Sequence, residues 1–271
     1  MKLLSNFGRH SRSKKITNVL YEAKDGIALC NIGCGRRYHA HWINIDRNGN
    51  GRDVLPWDLR DGLPFPNDMC DVIYASHVLE HLERDAAKQF LKDCYRALKP
   101  IGIIRIVVPD LETVARLYLD RLKAARCGEP NAAEEYEWMT LELLDQLTRH
   151  RSGGEMLRSW SRDTLPEEDF IASRVGDEYQ NARKHCRNRT VNDDTLISHD
   201  VGSFRLGGEP HLWMYDSYSL GHLLTSCGFH NVRACRADES AIPNFNDYNL
   251  DTNEFGVTRK PDSLFMEAQK V

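Results

Sequence analysis

Small and acidic residues placed at the ends of short apolar runs are the first in this chain with a spacing that could do chemistry. Leu29-Cys30-Asn31-Ile32 runs into Gly33-Cys34-Gly35, and Trp42-Ile43-Asn44-Ile45 runs into Asp46. Glycines directly after a strand let the backbone approach a ligand that a side chain would exclude. A carboxylate closing the next strand can accept the two hydroxyl hydrogen bonds of a ribose. Together these features imply a nucleoside ligand. A dinucleotide fits less well, because its G-x-G-x-x-G opens a full helix and its acid follows about 20 residues on. Here Tyr38 stands where the third glycine belongs, and no helix fits before Trp42. A pyrophosphate on a helix N-terminus, and with it an NAD-dependent oxidoreductase, is therefore disfavoured.

The imidazoles form a second set. His77, Glu80 and His81 follow another apolar run, and His211 lies much further along, in Pro210-His211-Leu212-Trp213. His77 and His211 are the two candidates for facing an acceptor, since a neutral imidazole can take a proton from a hydroxyl. His77 and His81 stand at i, i+4 and could share a metal ion, but no further ligand is identifiable and no metal is expected. The eight cysteines contain no C-x-x-C pair, which indicates neither a zinc site nor a disulfide framework. Cys34 is explained by its small size between two glycines, and Asp216 reads as a helix N-cap.

These residues need a scaffold that brings strand ends together. Apolar runs at 26–32, 42–46, 53–55, 69–75 and 103–108 predict strands. The spacing of Ala87, Phe90, Leu91, Cys94 and Leu98 predicts an amphipathic helix stopped by Lys99-Pro100-Ile101-Gly102. Strands alternating with helices imply a doubly wound α/β sheet. Two helices are expected over 111–126 and 133–150, then a polar, irregular stretch to about Arg205. The whole of 111–205 is too long for a plain connection, so it reads as an insertion forming a lid or acceptor wall. A helix over 217–227 and strands near 232–236 and 263–268 complete the chain, with a long polar loop between those strands.

In this order, the segments resemble the class I S-adenosylmethionine-dependent methyltransferases. Leu29 to Gly35 resembles their glycine motif, Asn44-Ile45-Asp46 their ribose-binding acid, and Asp58-Leu59-Arg60-Asp61-Gly62-Leu63-Pro64-Phe65 their adenine-side loop. Asp71 to Leu82 and Leu98 to Gly102 follow in family order. The resemblance implies a Rossmann-like, seven-stranded sheet, mostly parallel with an antiparallel last strand, and S-adenosyl-L-methionine as cofactor. It implies cofactor contacts from Asn31, Gly33, Cys34, Gly35, Asp46, Asp58, Leu59 and Ser76, whereas Asp71 is expected to be structural. Two positions depart from the family pattern, which has an acid at Asn31 and a small residue at Arg37; Arg37 is expected to point to solvent or to reach the cofactor carboxylate. A non-catalytic scaffold of the same fold is the alternative that these departures leave open.

Composition bounds the rest. With 41% apolar and 28% charged residues in 271, the chain reads as an ordinary globular protein of one large domain over 26–271. A net charge of −4 supplies no global field for nucleic acid. The first 25 residues, with Lys2, Arg9, Arg12, Lys14 and Lys15, read as a solvated basic arm. No signal peptide and no run of about 18 apolar residues is present, so a cytoplasmic enzyme acting on a small molecule is expected. Methyl transfer to O or N of a sugar or a cell-surface polysaccharide precursor is the expected reaction.

Overall fold

The structure, a computed structural model, describes residues 26–186 and 198–271; the basic arm lies outside the described residues. Strands β1 (Leu29–Ile32), β2 (Ile43–Asp46), β3 (Val54–Pro56), β4 (Cys70–Ser76), β5 (Leu98–Pro109), β6 (His230–Cys235) and β7 (Ser263–Gln269) form one sheet. Its order is β3-β2-β1-β4-β5-β7-β6. The first five strands are parallel, and β7 runs antiparallel between β5 and β6. This is the class I methyltransferase fold that the order of motifs implied.

The expected stop at Lys99 to Gly102 lies inside a strand. Leu98 already pairs with Cys70, and the register slips before Val72 meets Ile103. The residues between bulge outward, with Ile101 at φ 64° and its N–H donating to the Lys270 carbonyl at 2.8 Å. A Pro-Gly pair beside a bulge satisfies the same local preferences as a turn, which is why the sequence pattern reads as a break.

Helix α1 (Arg84–Ala97) buries Ala87, Phe90, Leu91, Cys94 and Ala97. They pack on one sheet face together with Leu220 and Leu224, which α8 (Ser217–Ser226) contributes. Asp216 caps α8 as expected, its carboxylate accepting from Ser219 N–H while the Ser219 hydroxyl reaches back, a capping box. The polar loop before β7 covers the opposite face, where Ile242, Phe245 and Leu250 pack against Val72, Tyr74 and Val107. That loop also delivers Asp251 to Arg105, a fully buried arginine on β5. Its guanidinium lies 2.7 Å from Asp251 and 2.7 Å from Glu267 of β7.

After β5 the chain leaves the sheet through α2 (Leu111–Arg126), α3 (Ala132–Thr148), α4 (Gly154–Trp160), α5 (Glu168–Val175), α6 (Asp177–Cys186) and α7 (Ser198–Arg205). The stretch expected to be irregular is thus largely short helices among its described residues. Their apolar residues make a separate core in which Met156, Trp160, Ile171, Val175 and Tyr179 surround Trp138 and Met139. Helices of two turns present too few periods for sequence spacing to reveal them, and their stability comes from this packing.

Candidate functional site

A cavity of about 870 Å³ opens where β1, β4 and β5 end, the edge at which α/β sheets bind ligands. Asn31, Gly33, Cys34, Gly35, Ser76 and His77 line it. Gly33 and Gly35 take φ 65° and 53°. A Cβ on Gly33 would stand 2.4 Å from Val78 Cγ2, whereas a Cβ on Gly35 would meet nothing within 4 Å. One glycine therefore permits close packing, and the other permits the turn. The thiol of Cys34 is pushed up to about 12 by burial and by the Asp46 charge, which leaves it unreactive.

Asp46 is not in the cavity wall but holds the turn that is: Gly35 N–H donates to its Oδ2 at 2.9 Å and Asn48 N–H to its Oδ1 at 2.8 Å. A carboxylate has about four acceptor positions, so both oxygens can still accept hydroxyls. Asp58 caps a 3-10 turn over Leu59–Asp61 and chelates Arg60, while Leu59 packs against the core. Neither contributes to the cavity wall. Asp71 accepts from Ala28 N–H and Lys99, a purely structural role. Asn31 donates to the Arg37 carbonyl at 3.0 Å and to Asn44 Oδ1 at 3.2 Å. Its own Oδ1 is buried without a hydrogen-bond partner among the described residues, an acceptor on a residue that lines the cavity. Arg37 lines the cavity while its side chain stays half exposed, 3.8 Å from Asp177.

Asp177, Glu178, Asn181, Ala182 and His185 of α6 also line the cavity, beside Leu250, Asp251, Arg259 and Lys260. Asp177 pairs with Arg259 at 2.5 Å, Glu178 with Lys260 at 3.2 Å. The link between α5 and α6 passes so close that a Cβ on Gly176 would lie 2.4 Å from the Arg259 carbonyl oxygen, and its φ is 61°. None of these residues carries a sequence motif, since their partners lie far away along the chain.

The two histidine candidates part company. His77 takes φ 54° at the end of β4, with its Nδ1 3.1 Å from Glu80 Oε1 and its Nε2 2.9 Å from Ser263 Oγ. Backbone strain of this kind collects at functional positions. Burial pushes the Glu80 carboxyl up, but His77, His81 and His211 outweigh it and hold it at about 2. Glu80 is therefore charged and favours a proton on His77 Nδ1, leaving Nε2 as an acceptor. His211, expected to face an acceptor, is buried away from the cavity wall with its ring 4.9 Å from that of His81. Burial lowers it to about 3, against the attraction of Glu80, because a desolvated cation costs more than the nearby carboxylate returns. The grouping of Glu80, His81 and His211 was not legible beforehand.

Residues 37–106 match the family model described as a methyltransferase domain. No curated protein matches the chain. A S-adenosylmethionine-dependent methyltransferase from Archaeoglobus fulgidus aligns over 97% of this chain and 94% of its own, at 14% identity and TM-score 0.41. One from Methanosarcina mazei aligns over 93% and 97%, at 14% identity and TM-score 0.39. A third, from Mesorhizobium loti, aligns over 93% and 96%, at 14% identity and TM-score 0.38. No helix among the described residues is long and apolar enough to cross a membrane.

Proposed function

We propose that the chain is a S-adenosylmethionine-dependent methyltransferase that methylates an oxygen or nitrogen of a small acceptor, with a sugar or polysaccharide precursor as the favoured class. The carrying observation is the cavity itself, whose volume suits a nucleoside with a small partner. Asn181 and His185 line it beside Val107, Leu250 and Phe265, a mixed lining that can take a small acceptor with a few hydrogen-bonding groups.

The residues fit the cofactor. Asn31 Oδ1 is a buried acceptor lacking a donor, suited to the ammonium of the methionine moiety, and the space beside Gly35 is open. Asp46 would hold the ribose hydroxyls. When bound, the cofactor supplies an electrophilic methyl group on a sulfonium. The protein's part is then to align the acceptor, exclude water beneath α6 and receive a proton at His77 Nε2. Asp58 and Leu59 belong to the adenine side in this reading.

Replacing Asp46 by alanine removes a charge-assisted contact to the ribose, worth roughly 1.5–3 kcal/mol. Calorimetric titration with S-adenosylhomocysteine should show affinity lower by about one to two orders of magnitude, with the melting temperature measured alongside. Equal affinity in the variant would remove Asp46 from the site. We also expect the insertion to act as a lid. Amide exchange across α6 should slow when S-adenosylhomocysteine binds, because the Asp177–Arg259 and Glu178–Lys260 pairs close the wall over a filled cavity. Indifference of α6 to the ligand would leave 111–205 as a structural appendage.

A further inference from the structure

At the exit of β4, behind His77, ligand atoms of Glu80, His81 and His211 lie within 4.8 Å of one another. Glu80 has no exposed side-chain surface and has His77 Nδ1 3.1 Å from its Oε1, but its Oε2 has no hydrogen-bond partner among the described residues. One imidazole leaves most of the acceptor capacity of a buried carboxylate unused, which is costly unless something else pairs with it. His81 is arranged as metal-binding histidines are: its Nδ1 faces the Pro210 carbonyl oxygen at 3.2 Å, which fixes the tautomer that leaves Nε2 as a lone pair, 4.0 Å from Glu80 Oε1. The segment carrying His211 is tied to the same residue, since Leu212 N–H donates to the Glu80 carbonyl at 2.7 Å. His211 N–H is in turn held by the Gln146 carbonyl of α3.

We propose that Glu80, His81 and His211 bind a divalent transition-metal ion, with Zn²⁺ as the best match to two imidazoles and one carboxylate, leaving a fourth position open. Two nitrogens and one oxygen form a borderline donor set that suits Zn²⁺ better than Mg²⁺ or Ca²⁺, which take oxygen ligands. Bonds of about 2.0–2.1 Å in a tetrahedron place donors roughly 3.3 Å apart, so the side chains close by about an ångström on binding. His81, with its side chain 26% exposed, provides the entry. Glu80 can bridge, one oxygen to the ion and the other to His77 Nδ1. The open position then takes water, whose proton the ion makes easier to lose. None of the three ligands lines the cavity, so the site does not rest on the methyl-transfer reading.

The full chain, stripped with a chelator, should be titrated with Zn²⁺ by calorimetry and with Co²⁺ by visible absorption. One equivalent of Zn²⁺ should bind, with Mg²⁺ and Ca²⁺ unable to compete. Co²⁺ should give the strong absorption of a four-coordinate site without a thiolate charge-transfer band, which distinguishes it from exposed Cys127. His81→Ala and His211→Ala should each weaken Zn²⁺ by more than about 100-fold, whereas loss of an outer-shell partner, as in His77→Ala, costs 10- to 100-fold. His81→Ala removes a partly exposed ring, so it serves if His211→Ala does not fold. Affinity for S-adenosylhomocysteine, measured on the same samples, reports separately on the cofactor site. Zn²⁺ binding that is substoichiometric, or equal in wild type and His81→Ala, overturns the proposal.

Discussion

His77→Ala should slow methyl transfer by about 10²–10⁴-fold, the range that a positioned general base contributes, while S-adenosylhomocysteine binds almost as before. The geometry behind this expectation is a ring held at both nitrogens. Glu80, charged and buried, lies 3.1 Å from Nδ1; Ser263 Oγ lies 2.9 Å from Nε2. With Nδ1 protonated, Nε2 offers its lone pair to the Ser263 hydroxyl or to an acceptor taking that hydroxyl's place. In transfer from S-adenosylmethionine, His77 Nε2 would receive the proton that the acceptor gives up, and the imidazolium would sit against the Glu80 carboxylate, 3.1 Å from Nδ1. The measurement begins with a screen of sugar, lipid and aromatic acceptors, read by release of S-adenosylhomocysteine. Wild-type turnover by His77→Ala on the acceptor so identified would leave alignment in a dry site as the whole of catalysis. His211→Ala, by contrast, should not reproduce the loss through proton transfer, because its ring is buried against His81 and does not line the cavity.

Arg105→Met should destabilise the protein by about 3–5 kcal/mol, the usual cost of leaving a buried charge without its partner. Arg105 is fully buried, and it bonds Asp251 and Glu267 while also donating to the carbonyls of Arg236 and Glu239. The variant leaves the buried Asp251 carboxylate without its cation, while Glu267 keeps Arg233 at 2.8 Å and the Ala241 N–H at 2.9 Å. It also loosens the cavity wall, because Asp251 Oδ1 accepts from the Tyr74 hydroxyl at 2.5 Å and both residues line the cavity. At this chain length the midpoint of thermal unfolding should fall by roughly 6–20 °C. Adding Asp251→Asn and Glu267→Gln should restore part of the loss, since a buried ion cluster removed as a whole costs far less than one broken open. A change under about 1 kcal/mol would show the cluster to be hydrated in solution.

The pH dependence of that difference has a definite sign. Burial raises the Glu267 carboxyl, but the Ser240 hydroxyl, the Ala241 N–H and Arg105 outweigh it and hold it below its ordinary value of 4.5. An acid depressed in the folded state stabilises the fold above that ordinary value and loses the contribution as pH falls through the folded one. The gap between wild type and Arg105→Met should therefore be largest near neutral pH and narrow on acidification below about pH 4.5.

Several features of this protein were determined by sequence alone because their causes are local. Strands β1, β2 and β4 show as apolar runs ended by small or acidic residues, since a strand buried on both faces must be apolar throughout. The Gly33-Cys34-Gly35 turn shows because only glycine accepts its dihedral angles cheaply. The spacing of Phe90, Leu91 and Cys94 shows α1, and Asp216 with Ser219 shows the start of α8. The order of these motifs carried the fold class, and the strand ends carried the floor of the cavity. What tertiary structure alone decided is the remainder of the cavity and everything built from distant partners. Asp251 becomes part of the wall only because Arg105 draws a polar loop across the sheet. Arg37 meets Asp177 only because α6 arrives at the cavity edge. His211 leaves the acceptor side and joins Glu80 and His81 only because the segment before α8 hydrogen bonds to the Glu80 carbonyl. Each depends on a pairing between residues far apart in the chain, whose free energy exists only once the sheet has closed the loops between them.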